Sequence, residues 1–179
     1  GEGVETGTVK QLIRRFKLAS PARADQEWPW PVKIRALGAF ELHVDDEPVA
    51  FSAKVPKKTL ALLKAIIAFG AHEVRAEDLL DALWGDSESD AAREALKITL
   101  LRLRKLLGSP EAIESQQGRL SLNADLIWVD ALAFEVSADR AATGEVTDGA
   151  VNQALTLYRG NFLAAEEDYP WAVLTRERL

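Results

Sequence analysis

Five cationic side chains lie within one stretch, Ser89 to Gly108, of a chain that is acidic elsewhere. The chain has 179 residues, with 22 Lys and Arg against 28 Asp and Glu, and a formal net charge of -6. The stretch itself holds five cations against two acids, Asp90 and Glu94, which leaves a surplus of three positive charges. Lysine and arginine neutralise phosphates, and arginine can donate two hydrogen bonds to the edge of guanine. The chemistry indicated by this stretch is therefore the binding of nucleic acid.

The same stretch predicts a helix with two distinct faces. Ser89 or Asp90 can cap its start, and Gly108 with Pro110 ends it. Apolar residues recur at spacings of three and four, which predicts a buried stripe formed by Ala92, Leu96, Leu100, Leu103 and Leu107.

The opposite side of this helix forms a basic arc that contains Arg93, Glu94, Lys97, Ile98, Leu101, Arg102, Arg104 and Lys105. At about 1.5 Å per residue the helix is roughly 27 Å long, enough to cross a DNA major groove and reach phosphates on both sides. Isoleucine or leucine can pack on a thymine methyl group. The alternative interpretation is a solvated helix that happens to carry a few basic residues.

Composition excludes several classes of function. There is no cysteine, so neither a disulfide framework nor a thiolate metal site is possible. No long apolar run or signal peptide is visible, which predicts a cytoplasmic protein without a membrane partner. No pattern suggests a cofactor or a metal site. The chain starts at Gly1 and contains no Met, which favours a piece of a longer polypeptide.

The first segment, residues 1–31, is predicted to be a helix followed by a linker. Residues 8–18 place Val9, Leu12, Ile13 and Phe16 on one helical face. This pattern fits the last helix of an upstream domain, a packing arm, or a basic helix that binds a membrane or nucleic acid. Prolines in the linker forbid a continuous helix, and its two tryptophans predict that it docks on the core. These tryptophans are Trp28 and Trp30.

From Val32 to Phe51 the apolar period changes to two, which predicts short strands. A turn at 45–48 separates the second strand from a third at Val49 to Phe51. We expect a three- or four-stranded antiparallel sheet with one wet face.

Two helices and a hairpin surround the basic helix. Residues 56–70 predict a helix whose lysines Lys57, Lys58 and Lys64 face away from the core, and residues 76–84 predict a second helix. The acidic pair Glu77-Asp78 of this second helix has no catalytic partner at suitable spacing, so an enzyme is not indicated.

Two short strands around Gln117-Gly118 predict a hairpin with Arg119 at its tip. There Arg119 either enters a minor groove, contacts phosphate, or is simply solvated.

This order of elements resembles the OmpR-type winged-helix domain, with the basic helix as the third helix and the hairpin as the wing. Four short motifs further resemble the antibiotic regulatory protein type activators, in which this module precedes a bacterial transcriptional activator domain. The motifs are Leu37-Gly-Ala-Phe, Ala82-Leu-Trp, Arg102-Leu-Arg-Lys-Leu-Leu-Gly and Trp128-Val-Asp.

The resemblance implies an α+β fold: a winged helix with an N-terminal antiparallel sheet, three helices and a C-terminal hairpin wing, followed by a short all-α segment. The implied winged-helix domain covers residues 32–129. Residues 130–179 are expected to be a partial helical activator-type domain that stops as another helix begins, with helices at 130–142 and 148–158.

The family's DNA-facing positions in the third helix correspond to Glu94, Ala95, Lys97, Ile98, Thr99, Leu101, Arg102 and Arg104. The helical wheel adds Arg93 and Lys105, whereas Thr99 enters only through the resemblance. We expect Arg102, Lys97 and Ile98 near base edges. Phosphate contacts are expected from Arg93, Thr99, Arg104 and Lys105. The family often has a polar or basic residue in place of Leu101, so the preferred sequence is expected to differ.

These observations predict sequence-specific binding of double-stranded promoter DNA by the output domain of a bacterial transcriptional regulator. The third helix would enter the major groove, and the wing would lie on the adjacent backbone or minor groove. The resemblance also implies a contact with RNA polymerase through the Gly85 to Asp90 loop, a homodimer on DNA, and a sensor upstream. The alternative function is a winged-helix module that binds only proteins, which the acidic net charge and apolar Ile98 and Leu101 favour.

Overall fold

The structure is a computed structural model that describes residues 9, 11–13, 15–16, 18, 20, 26–51, 56–86, 88–142, 148–166 and 169–179. The strands in these residues are β1 (Val32–Arg35), β2 (Glu41–Val44), β3 (Glu47–Pro48), β4 (Val74–Arg75), β5 (Ile113–Gln116), β6 (Arg119–Leu122) and β7 (Ile127–Val129). The helices there are α1 (Lys57–Ala68), α2 (Ala76–Trp84), α3 (Ser89–Leu106), α4 (Asp130–Ala142), α5 (Asp148–Leu157) and α6 (Val173–Arg178).

The first sheet has four strands in the order β3-β2-β1-β7. Alternation along β1 buries Val32 and Ile34, as the period of two predicts. The expectation of a wholly antiparallel sheet is wrong in one respect, because β7 pairs parallel to β1, with Val32 opposite Ile127. A parallel neighbour requires a long crossover, and here that crossover consists of the three helices and the wing.

The third strand lies earlier than predicted. Asp45 and Asp46 both have positive φ, 53° and 69°, and form a tight turn that returns the chain at once. The strand that pairs with β2 is therefore Glu47–Pro48, and of the predicted Val49 to Phe51 the N–H of Val49 donates a hydrogen bond to the carbonyl oxygen of Leu42 in β2 at 2.8 Å.

Helix α1 forms the centre of the core. Leu63, Ile66 and Ile67 are buried as predicted, and the helix ends before Gly70, whose φ of 99° suits glycine. The expectation that Lys64 faces away from the core is wrong, since this residue is only 6% exposed. Its ammonium pairs with the carboxylate of Glu166 and lies 4.5 Å from the ring centroid of Phe40. A buried lysine requires such partners, and these come from distant parts of the chain.

Helices α2 and α3 pack against α1 through their apolar stripes. The predicted stripe of α3 is confirmed, because its five apolar residues, Ala92, Leu96, Leu100, Leu103 and Leu107, are all buried. The predicted cap is not observed: Glu88 is the N-cap of α3, and no side chain caps that end. Asp90 in the first turn and Arg104 and Lys105 in the last turn suit the helix dipole.

The wing, residues 113–122, belongs to a second sheet in the order β4-β6-β5. Its turn is formed by Gln117 and Gly118, with φ of 49° and 74°, as in the tight two-residue hairpins. Strand β4 pairs with β6 and fixes the wing to the start of α2. The hairpin is confirmed, but the pattern did not predict its third strand.

Asp130 links the ends of two neighbouring strands of the first sheet, β1 and β7. Its carboxylate accepts hydrogen bonds from the backbone N–H of Ala36 at 2.7 Å, of Leu37 at 3.1 Å and of Ala131 at 2.7 Å. Burial raises the pKa of Asp130, and the three N–H donors oppose that rise by stabilising the charged form. This residue therefore closes the loop after β1 onto the start of α4.

The segment that follows α5 packs on the same core as the winged helix. Phe162 forms a bridge with Leu37 and is fully buried. Gly38 has a φ of 92°, and a Cβ there would meet the carbonyl oxygen of Arg159 at 3.2 Å. The motif Leu37-Gly-Ala-Phe is thus the contact between the sheet and this segment. A domain boundary between residues 129 and 130 stays a prediction.

Near the N-terminus, Val9, Leu12 and Phe16 are exposed, and the described residues from 9 to 15 are helical. Trp30 is buried beside Trp128, and Trp28 packs against the same cluster. The predicted docking of the linker is therefore confirmed for its last residues, whereas residues 21–25 lie outside the described residues.

Replacing the Asp130 carboxylate is expected to destabilise the fold. Asp130→Ala leaves three buried N–H groups, those of Ala36, Leu37 and Ala131, without this acceptor, which costs at least about 3 kcal/mol of unfolding free energy. Urea denaturation measures this loss, and the exposed Asp125→Ala serves as the control, with a change below about 0.5 kcal/mol. Equal midpoints for the two variants would contradict the assigned role of Asp130.

Candidate nucleic-acid interface

The buried stripe of α3 fixes which side chains of this helix reach solvent. Leu103 is 0% exposed and Leu101 is 65% exposed, so the helix is held at one rotation about its axis. We call the exposed side the outward face of α3, and it consists of Arg93, Glu94, Lys97, Ile98, Leu101, Arg102 and Lys105. Four of the five predicted cations therefore stay available to a partner.

Two acidic residues accompany these cations. The guanidinium of Arg93 lies 3.4 Å from the Asp90 carboxylate, and the ammonium of Lys97 lies 3.4 Å from the Glu94 carboxylate. All four side chains are more than half exposed, so water and salt screen both pairs. Such pairs separate readily when a phosphate approaches.

Thr99 is not part of the outward face. It is only 6% exposed and lies on the side of α3 that packs against the core. Burial therefore disfavours the expected phosphate contact of Thr99, which stays a prediction. Thr99 follows Ile98 by about 100° of helical rotation, which is enough to carry it from the exposed side into the core.

Arg104 is engaged inside the protein. Its guanidinium donates two hydrogen bonds to the carbonyl oxygen of Ile113, from Nε at 3.0 Å and from a terminal nitrogen at 2.7 Å. This fork joins the end of α3 to the first residue of the wing. The expected phosphate contact of Arg104 is therefore replaced by a positioning role.

Arg119 is exposed and begins β6, directly after the wing turn. Its guanidinium donates a hydrogen bond to the carbonyl oxygen of Glu73 at 3.0 Å. The remaining guanidinium N–H groups can donate to an external acceptor, because an arginine carries five.

A cleft lies between the outward face of α3, the start of α2 and the wing turn. Cations from three different elements line it, namely Arg75 from β4, Arg93 and Lys97 from α3, and Arg119 from the wing. Glu77 lines the cleft too and pairs with Arg75. The sequence did not predict that Arg75 belongs to this site, because only the pairing of β4 with β6 brings it beside Arg119 at the cleft.

The segment predicted to contact RNA polymerase divides between a loop and a helix. Gly85 is the C-cap of α2, while Ser89 and Asp90 already belong to the first turn of α3. Asp86 and Glu88 are exposed between them, and Ser87 lies outside the described residues. The accessible part of this segment is therefore short and acidic.

Two features are absent from the part of the chain that the structure describes. No group of three or more His, Asp or Glu side chains there is placed to hold a metal ion. None of its helices is long and apolar enough to cross a membrane.

The fork between Arg104 and Ile113 is expected to hold the wing against α3. Arg104→Ala should lower the unfolding free energy by about 1–2 kcal/mol and speed amide exchange in the wing, because the carbonyl oxygen loses both donors. The neighbouring exposed cation gives a matched control, since Arg102→Ala should change stability by less than about 0.5 kcal/mol. Equal exchange rates in the wings of the two variants would contradict the positioning role.

Comparisons with known proteins place this architecture among bacterial regulators. The regulatory protein AfsR of Streptomyces griseus is 30% identical over 125 residues, which are 66% of this chain and 13% of that protein. The regulatory protein AfsR of Streptomyces coelicolor is 28% identical over 164 residues, which are 87% of this chain and 16% of that protein. The chain thus spans less than a fifth of the length of these relatives. No protein-family model matches it.

A solved structure shares the fold. It is that of Mycobacterium tuberculosis EmbR in complex with a low-affinity phosphopeptide, with a TM-score of 0.63 and 22% sequence identity. The match covers 83% of this chain and 41% of EmbR. The expected fold is therefore confirmed: the chain has the OmpR-type winged-helix fold followed by a helical segment, and it is similar to part of the AfsR regulatory proteins.

Proposed function

We propose that this chain binds specific sequences of double-stranded DNA as the output part of a transcriptional regulator in the bacterial cytoplasm. The observation that carries the proposal is the outward face of α3. It presents four exposed cations on a protein whose net charge is -6. An acidic protein that concentrates cations on one exposed helix directs its attraction for phosphates to that helix.

In the proposed complex α3 lies in the major groove. Lys97, Ile98 and Arg102 approach base edges, while Arg93 and Lys105 bind phosphates. This division follows the exposed positions of α3. It leaves out Thr99, whose side chain is buried, and Arg104, whose guanidinium is bonded to the carbonyl oxygen of Ile113. Phosphate contacts set the register, and the base contacts supply the specificity.

The wing completes the proposed interface. Arg119 projects from the wing beside the cleft that Arg93 and Lys97 also line, so a phosphate entering the cleft meets cations from two elements. The DNA backbone next to the major groove, or the adjacent minor groove, is the partner we assign to Arg119. Arg104 contributes indirectly by fixing the distance between α3 and the wing.

Two macromolecular partners extend this proposal. One winged helix reads a short half-site, so a second copy bound one helical turn away, about 10 base pairs, would add most of the useful affinity. The exposed acids Asp86 and Glu88 lie before α3 and are the surface that we assign to RNA polymerase.

One observation favours a second candidate function, a winged helix that binds only proteins. Leu101 and Ile98 are exposed by 65% and 42%, and a protein partner can bury such side chains. The cations on either side of them favour DNA, since the centre of a protein interface is usually depleted of charge. The experiment below separates the two functions.

The DNA sequence that the chain prefers can be found by selection from a random pool of duplexes. Duplexes with a randomised region of about two helical turns are incubated with the chain at low salt, and the retained DNA is sequenced. We expect an enriched half-site, either single or repeated at a spacing of about one turn. Absence of any enrichment and of any retained duplex at low salt would overturn the proposed function.

Removing two cations from the outward face is expected to weaken binding to the selected duplex. Lys97→Ala with Arg102→Ala should lower affinity by at least about 30-fold, and the dependence of log affinity on log salt should become shallower by about one for each lost phosphate contact. The charge-matched control is Lys57→Ala with Arg140→Ala, on α1 and α4, for which we expect affinity within about threefold of the parent. Mobility-shift titrations at several salt concentrations measure both quantities.

An equal loss of affinity in both double variants would mean that overall charge, and not the outward face of α3, holds the DNA. Unchanged affinity in the Lys97 and Arg102 variant would support the protein-binding alternative.

A further inference from the structure

The outward face of α3 carries two large apolar side chains at its centre. Leu101 is 65% exposed and Ile98 is 42% exposed, although helix positions that face water are usually polar. Single exposed apolar residues are common on protein surfaces, so exposure alone says little. What distinguishes this pair is its position between the cations of a face that we assign to DNA.

Helix geometry places Leu101 on the outermost side of α3, together with Glu94 and Lys105. At about 100° per residue, Leu101 points about 200° away from Leu103, which is fully buried. Ile98 has the same relation to Leu100, which is also buried. The apolar pair therefore projects directly away from the core, toward whatever α3 contacts.

Cations lie on both sides of this pair. Lys97 is four positions before Leu101, and Arg102 is one position after it, which puts them about 40° and 100° to opposite sides of Leu101. In a major groove the sides of an inserted helix approach the phosphate backbones, and its outermost residues approach the base edges. Glu94 and Lys105 lie at about the same angle as the apolar pair, one turn before it and one turn after it. At its middle the outward face therefore presents an apolar pair with a cation on each side, which matches a groove with phosphates at its walls and an apolar group on its floor.

The floor of the major groove offers one apolar group, the 5-methyl group of thymine. Ile98 and Leu101 are three residues apart and are neighbours on the helix surface, with Cβ atoms about 5–6 Å apart. Successive base pairs are about 3.4 Å apart, so two side chains at this separation can reach neighbouring base pairs. We propose that Ile98 and Leu101 each contact the 5-methyl group of a thymine in neighbouring base pairs, and thereby determine part of the sequence preference. This inference rests on the proposed function and specifies which bases the outward face selects.

Deoxyuridine provides the test, because it pairs with adenine as thymine does and lacks only the methyl group. Each thymine of the selected duplex is replaced in turn, and the affinity of the whole chain is measured by mobility shift. We expect a loss of about fourfold at one or two positions, the value for one buried methyl group, and no change elsewhere.

The variants Leu101→Ala and Ile98→Ala connect each methyl group to one side chain. In each alanine variant, deoxyuridine at the thymine that the lost side chain contacted should cause no further loss of affinity. Deoxyuridine at the other sensitive thymine should still lower affinity by about fourfold. Leu155→Ala, which removes an exposed leucine from α5, is the control and should retain both losses. Circular dichroism checks that the exposed-residue variants remain folded.

Three outcomes separate this inference from the function on which it rests. If duplexes are retained but no thymine is sensitive to deoxyuridine, the inference is overturned and the proposed function stands. Sensitive positions that persist in both alanine variants also overturn it, since the methyl groups would then act through DNA shape. If no duplex is retained at low salt, the inference and the proposed function are overturned together.

Discussion

The rotation of α3 about its own axis is the constraint on which the candidate interface depends. Leu103 is fully buried and Leu96 and Leu100 nearly so, against a core that α1 dominates. Turning the helix to expose a different face would bring these leucines into water, at about 1.5–3 kcal/mol for each side chain. The core thus determines which charges face outward, even though none of its residues is expected to touch DNA.

Patterns within one element were predictable, and contacts between elements were not. The stripe of α3 followed from spacings of three and four, and the hairpin from Gln117-Gly118 between apolar runs, because both are local properties of the backbone.

Lys64, Thr99 and Arg104 were predicted in the wrong environment. Lys64 pairs with Glu166, far along the chain, and the acceptor of Arg104 is a backbone carbonyl, which no residue type reveals. The cluster of Arg75 with Arg119 similarly required the register of β4 on β6.

The helical segment after β7 is bound to the winged helix by polar groups as well as by apolar packing. Asp130 accepts two N–H groups of the loop after β1, and the hydroxyl of Thr175 donates to the carbonyl oxygen of Ala68 at the end of α1. Arg176 donates to the carbonyl oxygens of Phe162 and Leu163, which keeps the bridge to Leu37 in place. This segment therefore holds the end of α1, and the winged helix and the segment that follows it share one core.

The central claim is that the outward face of α3 is the surface of this chain that enters the major groove of DNA. Methyl-labelled NMR during titration with a selected duplex tests it most directly, because Leu101 and Leu103 lie on the same helix with opposite exposure. We expect the methyl signals of Leu101 and Ile98 to shift strongly and to show cross-peaks to DNA, while those of Leu103 change little. Large shifts confined to Leu155 and Leu174 on the C-terminal helices, with Leu101 and Ile98 unchanged, would contradict the claim.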